Sequence, residues 1–175
     1  MNVPDQPRQV FAFSGVLNRP PGEKSDPTFL DYAVSLAPGD GRKRVCFIPT
    51  ATGDAPFAIE AVTGIFAGSL CWHVGGPTDS FGDSLAMFTD GLGFLPYSNG
   101  VHDSLGDQPR HRVYREAVAN GELPAGYATE DGTALHYIGT DLHEAVAMVD
   151  GACAWWVEPS LGGGYHVKAI RPRRL

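Results

Sequence analysis

Two apolar runs flanking one helical stretch constrain this chain most. Gln9–Gly15 is a short apolar segment that ends in glycine, as a buried strand entering a loop would. After the Pro20-Pro21-Gly22 breaker, Asp26-Pro27 opens a stretch with Phe29, Leu30, Tyr32, Ala33 and Leu36 at helical spacing, closed by Pro38-Gly39. A second run, Arg44–Thr50, then leads into the turn Thr52–Pro56. Strand, helix, strand, loop is the order that predicts a parallel sheet with crossover helices.

The second half is punctuated differently. His111–Asn120 carries Val113, Tyr114, Ala117 and Val118 at helical spacing and is closed by Gly121. Beyond it, strand-like pieces at Thr133–Ile138, Leu142–Val149, Ala152–Glu158 and Tyr165–Ile170 are separated by turn residues at Asp131-Gly132, Gly139–Asp141, Asp150-Gly151 and Gly162–Gly164. The expectation is an antiparallel meander at the C-terminal end of one α/β domain spanning residues 1–175. A chain of 175 residues suffices for one core, and no repeat or linker divides it.

Charge and composition exclude several function classes. Thirteen basic against twenty acidic residues leave a net charge of −7, against nucleic acid or an anionic membrane as main partner. The basic cluster Arg171, Arg173 and Arg174 reads as a solvated end. Met1–Gln9 lacks the basic start and apolar run of a signal peptide, and no apolar stretch approaches membrane-spanning length, so a cytoplasmic location is expected. Cys46, Cys71 and Cys153 form no CxxC pair and sit among apolar neighbours, as reduced, buried thiols do. Trp72, Trp155 and Trp156 read as packing aromatics. The six histidines show neither HExxH nor His-x-His spacing, so no metal and no cofactor are expected.

One segment has the shape chemistry needs. In Gly64-Ile65-Phe66-Ala67-Gly68-Ser69, small residues flank one position, as a sharp strand-to-helix elbow requires. Such a turn also aims backbone N–H groups at a developing oxyanion. The run Ala67–Gly82, then Gly91–Pro96 and Val101-His102-Asp103, with Phe47–Asp54 upstream and Gly126–Leu135 downstream, resembles the dipeptidase E / cyanophycinase family of serine peptidases. The resemblance covers nearly the whole chain in order. It implies a flavodoxin-like sheet of the class I glutamine-amidotransferase type and hydrolysis of small peptides, aspartyl dipeptides being that family's best-known substrates.

Carried over by position, the resemblance places the family's serine on Phe66, its histidine on His102 and its acid on Asp79. Asp131 or Glu130 is the alternative acid, and the backbone N–H of Ala67 would serve the oxyanion. Phe66 cannot act as a nucleophile, and Ser69, one helical turn further on, is a weak substitute. Arg110 and Arg112 are candidates for a substrate carboxylate, with a solvated helix start as the alternative. The resemblance further implies a helix, a strand and a Gly-Gly-Gly-Asn oxyanion turn before the elbow, but only Ala55–Thr63 stands there, too few for a βαβ unit of about 30 residues. The expectation is an internal deletion near residues 55–65 and, from the exposed sheet edges that a lost strand leaves, a homodimer. Two functions remain open. One is a dipeptidase E-like hydrolase, and the other is a silent homologue that binds peptides or is an internally deleted variant.

Overall fold

The structure, a computed structural model, describes residues 9–13, 28–37, 72–78, 85–103 and 109–175. The predicted strand Arg44–Thr50, the elbow with Phe66, Ala67 and Ser69, Asp79, Cys46, Cys71 and the short span near residues 55–65 lie outside the described residues.

Among the described residues, ten strands and two helices follow in chain order. They are β1 (Gln9–Phe13), α1 (Thr28–Leu36), β2 (Gly76–Thr78), β3 (Ala86–Phe88), β4 (Ser98–Val101), α2 (Arg110–Ala119), β5 (Gly126–Thr129), β6 (Thr133–Ile138), β7 (Asp141–Ala147), β8 (Ala154–Pro159), β9 (Tyr165–Ile170) and β10 (Arg173–Arg174). Their pairing gives an α/β fold with two mixed four-stranded sheets, ordered β1-β6-β7-β10 and β4-β5-β8-β9. A two-stranded ribbon, β2-β3, joins the edge of the second sheet through a parallel bridge between Gly75 and Ser98.

Among the described residues β1 pairs antiparallel with β6, from Gln9 opposite Ile138 to Phe13 opposite Ala134, while Arg44–Thr50, the strand expected to run parallel to it, lies outside them. One expectation about strand partners is corrected: the last four long strands do not form one meander. Hairpin β6-β7 belongs to the first sheet and hairpin β8-β9 to the second, while β8 pairs with β5 rather than β7. The physical reason is an uneven kink in one long ribbon. Thr129 faces Ala154 and Thr133 faces Ala147, so residues 130–132 on one arm oppose residues 148–153 on the other. Extra residues on one arm bend and twist a ribbon. Glycines at positive φ, Gly132 at 78° and Gly151 at 81°, supply the backbone conformations there. The Met148 N–H to Gly132 O and Glu130 N–H to Cys153 O bonds, 2.9 and 3.1 Å, tie the arms together across the kink.

The kinked ribbon sets the two sheets on a shared core, with α1 packed on one and α2 on the other. Period-two alternation then gives β5 and β6 two buried faces. Leu135 and Tyr137 of β6 point with Ala12, Leu95, Tyr127 and Ala145 into the core between the sheets, packed by Tyr97 and Trp156. Ala134 and Val146 turn the other way, to Phe29 of α1. On the second sheet Ala128 and Val157 face Tyr114, Ala117 and Val118 of α2. The three tryptophans pack as expected, Trp72 and Trp156 on the inner core and Trp155 under α2. Cys153 is a free thiol of intermediate exposure, less enclosed than its apolar neighbours suggest.

The inner core is unusually rich in tyrosine hydroxyls. Tyr97 and Tyr127 meet edge to face at 5.4 Å, and Tyr127 and Tyr137 at 5.8 Å. Burial raises Tyr127 to about 12 and carries Tyr114 and Tyr137 well above the usual tyrosine value. A folded-state pKa above the unfolded value contributes stability that is complete below the unfolded pKa, here 10.0, and is lost as pH rises above it. Tyr114 and Tyr137, both fully buried, should each cost about 1.4 kcal/mol per pH unit above 10. Urea unfolding at pH 9, 10 and 11 should therefore show a steep loss confined to the last step, and a flat profile would contradict the burial of these phenols.

Among the described residues no helix is long and apolar enough to cross a membrane.

Candidate active site

Strands β4 and β5 are parallel neighbours, with Ser98 opposite Gly126 and Val101 opposite Thr129. Gly126 is required at this pairing, because a Cβ there would stand 2.0 Å from the Ser98 carbonyl oxygen. Both strands therefore end at the same edge. His102 is the first residue past β4 and Asp131 stands in the turn after β5. Ligands of parallel α/β sheets collect outside these carboxyl ends, where the chain leaves the sheet and side chains from neighbouring strands converge.

At this edge His102 Nδ1 lies 2.5 Å from Asp131 Oδ1, with side-chain exposures of 23% and 33%. His102 holds φ at 57°, and no other non-glycine residue among those described has a positive φ. Left-handed backbone costs about 1–2 kcal/mol for such a residue, so the surroundings must hold it. They do so immediately downstream. The Asp103 N–H donates to Thr129 O at 3.1 Å, which extends the β4-β5 pairing beyond the strand. The Asp103 carboxylate then receives two bonds from Arg115 of α2, each 2.8 Å, in a pair whose side chains are 4% and 10% exposed. Arg115 also donates to His111 O at 2.8 Å and lies 5.8 Å over the Trp155 ring. Helix α2 is thus clamped to the end of β4 beside His102.

Tyr114 supports the same strand from below. Ser98 Oγ donates to Pro124 O at 2.5 Å, so the Tyr114 hydroxyl donates to Ser98 Oγ at 2.9 Å. A Cβ on Gly100 would stand 2.7 Å from the Tyr114 ring, so glycine here lets the helix approach the strand. Asn99 Nδ2 donates to Tyr127 O at 2.9 Å and fixes β4 from its other side.

Chemically, a carboxylate on Nδ1 makes that nitrogen the proton-bearing one and leaves Nε2 with the lone pair. A neutral imidazole so oriented can take a proton at Nε2 and return it, the base half of a serine-type relay. Of the acids considered from sequence, Asp131 reaches His102, while Glu130 turns away to accept the Cys153 N–H at 2.8 Å. Arg110 is 4% exposed at the start of α2. Arg112 is exposed and pairs with Glu116 one turn on, at 3.3 Å, an interaction worth roughly 0.3–0.5 kcal/mol. Asp103 and Arg115, which hold the site together, carried no assignment from sequence. Their signal was faint: an arginine next to Tyr114, among the inward-facing positions of a helix whose buried face also holds Arg110, Ala117 and Val118.

A sequence profile described as peptidase family S51 matches residues 58–145, which is half of the chain and includes Phe66, Asp79, His102 and Asp131. The chain belongs to peptidase family S51. The resemblance to the dipeptidase E family noted from sequence agrees with this assignment. An uncharacterized peptidase of Bacillus subtilis (strain 168), YgaJ, is 40% identical to this S51 chain over 96 residues, covering 55% of this chain and 40% of that protein. The S51 chain therefore spans about two fifths of the length of this curated relative. No solved structure matches.

Proposed function

We propose that this S51 chain takes small peptides, aspartyl dipeptides foremost, at a serine-peptidase-type site in which His102 is the base and Asp131 the residue that orients it. The observation carrying this reading is the His102–Asp131 contact at the shared carboxyl edge of β4 and β5. In hydrolysis of this type a hydroxyl at the elbow attacks the peptide carbonyl and passes its proton to the histidine. The histidine then hands that proton to the departing amine while backbone N–H groups hold the oxyanion, and a water deprotonated by the same histidine next cleaves the acyl ester, freeing the acid and returning the hydroxyl its proton. The parallel run from Gly75 through β4 to β5 supports a flavodoxin-like arrangement of this part of the sheet.

Phe66 favours a second reading of the same site, in which the peptide binds and is not cleaved. A phenyl ring offers neither lone pair nor proton, and removing the nucleophile of such a relay costs about 10⁶ in kcat. The wild-type chain should therefore bind Asp-Xaa dipeptides without releasing amino acid. Titration calorimetry with an aspartyl dipeptide, followed by amino-acid analysis of the same mixture, tests both parts. Absence of binding would refute the reading. Release that disappears in His102→Ala would show that another residue, Ser69 first, supplies the hydroxyl.

A further inference from the structure

A second cluster of chemically active side chains lies on the other sheet. His136 of β6 faces Glu144 of β7 in register, whereas the next pair is Tyr137 with Leu142. His143 is thus the additional residue of a bulge, two residues standing against one. Adjacent residues of a regular strand point to opposite faces, but a bulge re-aims one of them. The His136 and His143 rings accordingly meet edge to face at 5.2 Å, on the side where His136 Nδ1 lies 3.9 Å from Glu144 Oε1. One ligand atom from each of His136, His143 and Glu144 falls within 4.8 Å of the others.

His136 gives this cluster its direction. The residue is 3% exposed, and its Nδ1 is buried without a hydrogen-bond partner. A buried polar atom left so costs about 1–3 kcal/mol, which a ligand would recover. The opposite nitrogen, Nε2, is held at 2.8 Å by the side-chain carbonyl oxygen of Gln9 from β1. That acceptor keeps the proton on Nε2 and the lone pair on Nδ1, the outer-shell arrangement that orients metal-bound imidazoles. Around Glu144, Tyr32 of α1 donates to Oε1, and Arg173 of β10 donates from Nε at 3.0 Å and from Nη2 at 3.2 Å.

We propose that His136 Nδ1, His143 and Glu144 bind a divalent late first-row transition-metal ion, with zinc as the leading candidate. Two imidazoles and one carboxylate suit zinc, cobalt, nickel or copper and leave a position for water. Magnesium and calcium, which take oxygen ligands, are excluded by the same donor set. Metal–ligand bonds of about 2.0–2.2 Å draw the three atoms closer than they now stand. The exposed His143 can supply most of that movement. Arg173, itself half exposed, competes for Glu144 as a cation and must give way.

The test uses the whole chain, stripped with chelator and titrated with ZnCl₂, then with CoCl₂ to read geometry. Wild type should take up one zinc ion with a rise of several degrees in Tm, and cobalt should give the intense visible bands of a low-coordinate N/O site. His143→Ala changes an exposed residue and should keep the fold while weakening zinc at least tenfold and bleaching the cobalt bands. His136→Gln should abolish both signals. Arg173→Gln, which removes the competing cation, should tighten zinc severalfold. Zinc affinity unchanged in His143→Ala and in Glu144→Gln would overturn the proposal, as would a wild-type chain that neither shifts in Tm nor colours with cobalt.

Discussion

Phe66→Ser should raise hydrolysis of Asp-Xaa dipeptides by on the order of 10³-fold over the wild-type chain. The magnitude follows from two opposed effects. Restoring a lost nucleophile is worth about 10⁶ in kcat when every other part of the site is intact. From sequence no oxyanion turn is expected in the short span Ala55–Thr63, and one missing oxyanion donor costs about 10²–10³. The balance is a slow but measurable peptidase. Its dependence on the base is the control. Phe66→Ser/His102→Ala should return to the wild-type level, and so should Phe66→Ser/Asp131→Asn, because losing the carboxylate on Nδ1 leaves the wrong imidazole tautomer, a loss of about 10⁴. Labelling by a fluorophosphonate should appear only with the new serine. If Phe66→Ser binds dipeptide yet gains no turnover, a missing hydroxyl is not what silences the chain and this expectation fails.

Asp103→Ala should cost about 3–5 kcal/mol of stability, the usual effect of removing one partner of a buried ion pair. For a chain of this length that is a fall in Tm on the order of 10 °C. Arg115 would keep its bond to His111 O and its place over Trp155 while its charge stayed enclosed without the carboxylate. Asp103→Ala/Arg115→Met should recover part of the loss, since it removes the orphaned charge as well. Urea unfolding followed by circular dichroism reads both variants. A change below about 1 kcal/mol for Asp103→Ala would show that the pair is not buried in solution. The same clamp steadies the backbone beside His102, so the variants should lose dipeptide affinity in the order of their stability.

How much of this was legible in the sequence varies by level. Strand limits were read closely: Thr133–Ile138 and Tyr165–Ile170 are strands with those bounds, and α1 ends before Pro38-Gly39. Turn residues and period-two alternation are local signals, and local signals survive folding. Partner choice is not local. Nothing in Thr129–Ala154 announces that three residues on one arm will oppose six on the other, yet that mismatch sends β6-β7 and β8-β9 to different sheets. Register is decided by which faces become buried together, a property of the whole core.

The site divides along the same line. His102 was found from an ordered block of motifs, and Asp131 was named only as an alternative acid, because sequence spacing cannot say which of several carboxylates the end of β5 will carry to the end of β4. Asp103 and Arg115 are twelve residues apart and meet because a helix packs back on a strand. The scattered histidines show the limit most plainly. No spacing rule joins His136 to His143, and only a bulge in an antiparallel pair turns them toward one another. By itself the sequence determined several elements, β6 and β9 to the residue, and the family, since each is written in consecutive residues. The tertiary structure decided which strands pair, which acid meets His102 and which side chains gather beside the buried Nδ1 of His136, since burial and register exist only once distant segments have come together.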